Sequence, residues 1–248
     1  IDSPETMILQ GVARLYTEET GTQIEFDVLA YDDLYQQFLK AEHSDYYDIF
    51  RMDVTWLPLL SERILVPLEE LDENIEEVHK EYIPALINKY SRVHGRNYAL
   101  PITPSTQLLF YRKDLFENTV IKRLYSETYK SELKIPKTFE KYNKIAEFFA
   151  TNEALEEHYF SNLTLGSMGV TATEFLCRLF SHKKHLYGKD GKVVVNDEAG
   201  VLAMQELMTA KQYSDKKVVH WWKTSAREFA EGKLAMMINF SNYAPEII

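Results

Sequence analysis

At 248 residues, with 45% hydrophobic and 27% charged residues, the chain has the composition of a folded protein with room for one large core or two modest ones. Its net charge of −10, from 38 acids against 28 bases, argues against nucleic acid as a partner and suits a soluble monomer. A single cysteine, Cys177, excludes an intramolecular disulfide and a cysteine-rich zinc site, and no apolar run reaches the ~20 residues that a spanning helix needs.

Ser3 before Pro4, then Ile8, Val12, Leu15 and Tyr16 at helical spacing, predict a helix over about 4–20 that stops at Gly21. The opening Ile-Asp-Ser-Pro-Glu reads as a helix start, so the sequence is expected to be a piece of a longer one. Ile24, Phe26 and Val28 alternate as in a half-buried strand over 23–28, Asp32 opens a helix with Leu34, Phe38 and Leu39, and residues 48–52 read as a second strand. This order predicts a parallel sheet with its ligand crevice at the carboxyl ends of the strands, where Met52, Asp53 and Trp56 fall. Residues 73–92 form an amphipathic helical stretch in which Pro84 marks a kink or a boundary.

Residues 97–102 and 107–112 read as two strands around Pro101 and Pro104. Proline fixes φ and removes a ladder donor, so the join is expected to be a crossover between two bodies, with Ser105 and Tyr111 where those bodies would face each other. Beyond it, helices are predicted over 119–133, after the cap Thr138, around Phe175 to Phe180, from Asn196 or Asp197 to about Tyr213, and from Thr224 or Ser225 to Gly232. Asp190-Gly191 reads as a hairpin turn with a return strand over 193–195, and residues 234–239 as a last strand. Gly166-Ser167-Met168-Gly169 is a stretch of mostly small residues that lets backbone approach a ligand or another element.

No glycine-rich phosphate loop is present, which argues against a nucleotide-dependent enzyme. His182 and His185 stand at metal-sharing spacing but have two lysines between them and no third ligand nearby, which favours a solvated face. Ser131-x-x-Lys134 and Ser181-x-x-Lys184 lack the companion motifs of penicillin-binding enzymes, and Gly166-Ser167-Met168-Gly169 is one residue short of a nucleophile elbow. Asp53 beside Trp56 fits hydrogen bonding to sugar hydroxyls under an aromatic face better than glycoside hydrolysis, since nothing designates a second carboxylate. Core packing is the competing role for Trp56, and core or interdomain packing is the expectation for Trp221 and Trp222.

Four stretches carry a family resemblance: Tyr-Tyr-Asp-Ile-Phe-Arg-Met-Asp-Val-Thr-Trp with Ile-Leu-Val-Pro-Leu-Glu-Glu-Leu (46–71), Ala-Leu-Pro with Tyr-Arg-Lys-Asp-Leu-Phe (99–116), Pro-Lys-Thr-Phe-Glu-Lys (136–141), and Phe-Ala-Glu-Gly-Lys-Leu-Ala-Met-Met-Ile-Asn (229–239). In this order they resemble bacterial extracellular solute-binding proteins of the maltodextrin-binding type. The resemblance implies an α/β, type II periplasmic-binding-protein-like fold of two hinged lobes, 1–103 and 104–248, hinged near 103–106. It also implies that the first strand and the returning C-terminal segments lie outside this sequence. Its ligand residues map to Met52, Asp53 and Trp56, to Ser105, to Ser167, Met168, Gly169 and Val170, and to Asn242 and Tyr243. Serine at the crossover and Asn242 in place of a stacking aromatic are departures.

The implied function is that of the binding component of an ABC-type carbohydrate uptake system, with a membrane permease as partner and no cofactor or metal. The implied location is extracytoplasmic, with a lipid anchor in the full-length protein. A sensor domain fused to a cytoplasmic regulator and a cleft hydrolase are the alternatives.

Overall fold

The computed structural model describes residues 3–42, 44–214 and 221–247. The chain divides into two compact units, Ile1–Ser105 and Thr106–Ile248.

The first unit is mostly helical: α1 (Pro4–Thr20), α2 (Tyr31–Ala41), α3 (Leu57–Ser61), α4 (Ile75–His79) and α5 (Pro84–Tyr90), followed by a hairpin of β1 (Arg92–Val93) and β2 (Arg96–Asn97). Gly21 ends α1 in the left-handed region at φ 76°, its N–H closing on the Thr17 carbonyl. Leu34 and Phe38 from α2 and Leu60 from α3 form the core, with Phe50, Met52 and Trp56 packed against them.

Three expectations change here. Residues 23–28 and 48–52 have no regular secondary structure and belong to no sheet, and Ile24, Phe26 and Val28 are exposed, so no parallel sheet forms among the described residues of this unit. Alternation records readiness to pair, and a strand exists only where another backbone supplies the ladder. The stripe of α1 is likewise turned outward: Ile8, Val12 and Leu15 are 67%, 57% and 65% exposed. It is the polar side of α1 that is held, by Arg51, whose Nη1 donates to Ser3 Oγ at 2.7 Å and whose Nη2 reaches Glu5 at 3.3 Å. Of the two outcomes expected at Pro84 the structure has the boundary: α4 and α5 are separate helices, because Ile83 is extended ahead of Pro84 at the first helical position. The strand expected over 97–102 pairs only at Arg96–Asn97, before Pro101.

The second unit is built on a three-stranded sheet in the order β3 (Gln107–Tyr111), β5 (Leu234–Phe240), β4 (Phe160–Ser161). β3 runs antiparallel to β5 with Leu109 opposite Ile238, and β4 runs parallel to it. The central position of β5 explains why Leu234, Ala235, Met236 and Met237 are all buried, a continuous apolar run and not an alternation. Around the sheet lie α6 (Lys113–Glu117), α7 (Thr119–Tyr129), α8 (Phe139–Thr151), α9 (Met168–Ser181), α10 (Glu198–Gln212) and α11 (Trp222–Ala230). The core joins Tyr142, Ile145, Phe148 and Phe149 of α8 to Leu115, Phe116, Ile121, Tyr125 and Met236. Side chains cap the helices where the sequence places them: Thr138 accepts from the Lys141 N–H and Asp197 from the Gly200 N–H.

The structure differs at three further points. α7 stops at Tyr129, because Lys130 turns left-handed at φ 52°. The return strand over 193–195 reduces to one bridge, Tyr187 to Val193, around a turn with Gly191 at φ 74°. Neither Thr224 nor Ser225 caps α11: the Ser225 N–H already bonds the Trp221 carbonyl at 2.8 Å, so the helix begins earlier and Trp221 takes the capping position.

Candidate functional site

Asp53 stands at the start of a tight turn, Val54–Trp56, that leads into α3. Its Oδ1 accepts from the N–H and hydroxyl of Thr55, both at 2.8 Å, and its Oδ2 accepts from the Tyr31 hydroxyl at 3.0 Å. Three donors fill most of the roughly four acceptor positions of a carboxylate, which fixes its plane and leaves acceptor capacity on Oδ2.

The turn also carries Trp56 back toward α2, where Tyr31 and Tyr35, one helical turn apart, lie against it with ring centroids at 4.9 and 5.2 Å, and Phe38 meets it edge-on at 5.5 Å. Trp56 is half-buried and belongs in part to the core, as does Met52. Tyr31 and Tyr35 were missed from the sequence. Their i, i+4 spacing sits beside the apolar stripe of Leu34, Phe38 and Leu39 and carries no ligand signal of its own.

Ser105, half-buried, is the last residue of the first unit. In the second, Tyr111 ends β3 opposite Met236 and packs edge-on against Phe116 at 5.2 Å, so its ring serves the core. Ser167 precedes α9 in extended backbone without its side chain capping the helix, and its Oγ is buried with no hydrogen-bond partner among the described residues. Met168 is 92% exposed, Gly169 is open, and Val170 points into the core. Asn242 and Tyr243 lie in a turn, Ser241–Glu246, after β5. Tyr243 is buried, while the Asn242 Oδ1 is buried with no partner among the described residues.

The Gly166 and Asn242 loops are linked through two tryptophans. Trp221 lies on Gly166, and Trp222 meets Phe240 edge-on at 5.0 Å. Met52, Asp53 and Trp56 thus share one turn of the first unit, and in the second the tryptophan pair lies between Gly166, next to Ser167, and Phe240, two residues before Asn242.

His182 pairs through Nε2 with Glu206 at 2.9 Å, and among the described residues no group of three or more His, Cys, Asp or Glu could hold a metal. Ser181 donates to the Arg178 carbonyl and Lys184 pairs with Asp197, so neither is set for nucleophilic work. Burial pushes the Cys177 thiol up, which keeps it protonated at neutral pH. An open groove of about 640 Å³ runs between α1 and residues 23–26, lined by Met7, Ala13, Arg14, Ile24 and Phe26 among others. Its lining includes neither Ile8, Val12 and Leu15 of the outward apolar face of α1 nor any of the expected ligand residues. No helix among the described residues is long and apolar enough to cross a membrane.

Comparison with known structures finds the same fold in an ABC transporter solute-binding protein of Agrobacterium radiobacter in complex with ribitol, at TM-score 0.78 and 19% identity over 99% of this chain and 60% of that one. Maltose-bound MalE3 of T. maritima matches at 0.75 and 22% identity, over 97% of this chain and 59% of that one. The maltotriose-bound maltotriose binding protein of Thermus thermophilus matches at 0.70 and 17% identity, over 100% and 61%. The chain therefore spans about 60% of the length of the structures it matches. The fold is the α/β one expected from the four sequence stretches. The family of bacterial extracellular solute-binding proteins matches residues 12–248, nearly the whole chain, and the chain belongs to that family.

Proposed function

We propose that the protein is the solute-binding component of an ABC-type carbohydrate uptake system and that it binds a sugar or polyol without covalent chemistry. The observation that carries this reading is Asp53, whose carboxylate is oriented by Thr55 and by Tyr31, the same Tyr31 whose ring lies against the half-buried Trp56. A fixed acceptor beside an aromatic ring suits a ligand that presents hydroxyls on its rim and C–H groups on its face. The matched relatives hold ribitol, maltose and maltotriose, all polyhydroxylated.

Met52, Asp53, Trp56 and Ser105 are the proposed contacts of the first unit. Those of the second are Ser167, Met168, Gly169 and Asn242, with Tyr111 and Tyr243 supporting them from the core. Residues 103–106 are the proposed hinge, so that ligand shifts the population of hinge states and a membrane permease reads the ligand-bound one. The family match supports a location outside the cytoplasm, and the protein is proposed to be a monomer with a lipid anchor in its full-length form. Calorimetric titration with maltose, maltotriose and ribitol tests the reading: saturable binding of at least one is expected, and release of hydrolysed sugar would show an enzyme instead.

A further inference from the structure

We propose that Trp221 is a sugar-stacking ring presented by the second unit, seated on Gly166, and that it selects a cyclic sugar over an open-chain polyol. This inference rests on the carbohydrate reading above. A Cβ at Gly166 would fall 2.1 Å from Cε2, 2.4 Å from Nε1 and 2.6 Å from Cδ2 of Trp221, so the indole lies against bare backbone, and any side chain at 166 would displace it. The small-residue stretch thus brings backbone close to a ring.

Trp221 is also braced from the side. Trp222 stands perpendicular to it, 6.5 Å away at 89°, and is itself held by Phe240 at 5.0 Å and by the buried Asn239, whose Nδ2 donates to the Trp222 carbonyl at 2.9 Å. Asn239 and Phe240 belong to β5, the central strand, so the ring that braces Trp221 is itself anchored to the middle of the sheet. Despite this support the Trp221 ring is only half-buried.

The loops on either side of the pair carry the Ser167 Oγ and the Asn242 Oδ1, neither of which has a partner among the described residues. Buried polar groups left in this state call for a water or a ligand hydroxyl. A half-buried indole in the same unit as a hydroxyl and an amide that lack partners suits a pyranose, whose C–H face stacks while its rim hydroxyls bond. A flexible polyol offers no such face.

The test is maltose and ribitol binding to the whole chain, measured by calorimetry, with hydroxyl-radical footprinting of the wild type read by mass spectrometry. Trp221→Ala is expected to weaken maltose binding roughly three- to tenfold, the scale of one aromatic contact. Trp221→Phe should restore part of that loss, and Gly166→Ala should weaken maltose binding by displacing the ring. Footprinting decides the matter even if the alanine variant fails to fold, because maltose should protect Trp221 from oxidation in the wild type. Unchanged oxidation, wild-type affinity in folded Trp221→Ala, or ribitol bound as tightly as maltose would overturn the inference while leaving the carbohydrate reading standing. Binding of none of maltose, ribitol and maltotriose would remove both.

Discussion

The Tyr31 hydroxyl donates to Oδ2 of Asp53 at 3.0 Å, joining the first turn of α2 to a turn 22 residues later. Thr55 occupies Oδ1, so Tyr31 sets the direction in which the remaining capacity of Oδ2 points. Tyr31→Phe keeps the ring on Trp56 and removes only this donor. Ligand affinity is expected to fall several-fold, while stability in urea changes by about 1 kcal/mol or less, the net worth of one hydrogen bond. Unchanged affinity would show that Asp53 acts only as a cap for its turn.

Trp56 has two roles that substitutions can separate. Its ring packs on Tyr31, Tyr35 and Phe38, so Trp56→Ala should cost about 2–3 kcal/mol of stability, below the range for a fully buried aromatic because the site is half-open. Trp56→Phe should recover most of that stability yet still lose roughly 1 kcal/mol of ligand binding. Full recovery of affinity by phenylalanine together with stability would assign Trp56 to the core alone.

What the sequence showed and what it hid divide along a physical line. The caps Thr138 and Asp197, the stops Gly21 and Gly232, and the apolar run of β5 are local signals, and each appears in the structure. Ile24, Phe26 and Val28 alternate just as clearly, yet pairing depends on a second backbone that no local pattern reveals. The same holds at the candidate site. Asp53 and Trp56 were legible as residue types, whereas the Tyr31 bond to Asp53 spans 22 positions and the seat of Trp221 on Gly166 spans 55, distances at which spacing says nothing.

Asn97 organises the acidic side of the β1–β2 hairpin. It is buried, and its Nδ2 donates to Oε1 of Glu69 at 2.7 Å and to Oε1 of Glu76 at 2.9 Å, while its Oδ1 accepts from Arg92 at 2.9 Å. Burial pushes Glu69 up, but the bonds from the Asn97 N–H and amide outweigh it, and Glu76 is pulled down first by the Asn97 amide and then by Arg92. Both carboxyls therefore titrate below their usual 4.5 in the folded protein. Groups depressed in this way add stability that is present above the unfolded value and lost as pH falls through the folded one. Asn97→Asp sets a third carboxylate between them and should reverse the sign, lowering the melting temperature at pH 7 and recovering part of it as pH falls toward 4. Thermal melts across that range check this, and a constant difference at all pH values would contradict it.

Arg178 and Glu174 form a buried pair on α9: Nη1 meets Oε2 at 2.8 Å, Thr164 N–H reaches Oε1 at 3.1 Å, and the guanidinium covers the Phe139 ring at 4.5 Å. Removing one partner leaves a buried charge alone, so Glu174→Gln and Arg178→Met should each cost about 3–5 kcal/mol. The double variant should be markedly less destabilised than the sum of the two. Additivity in urea unfolding would show that the two charges are not coupled.

The account depends most on Asp53 as a ligand acceptor, and maltose calorimetry of the wild type beside Asp53→Asn tests it most directly. Asparagine retains an oxygen for the Thr55 N–H and loses the charge. Saturable 1:1 binding by the wild type is predicted, weakened at least about tenfold in Asp53→Asn, as expected for loss of a charge-assisted bond, with the melting temperature little changed. Equal affinity in the two proteins, or no saturable heat from maltose, maltotriose or ribitol with folded wild type, would contradict it.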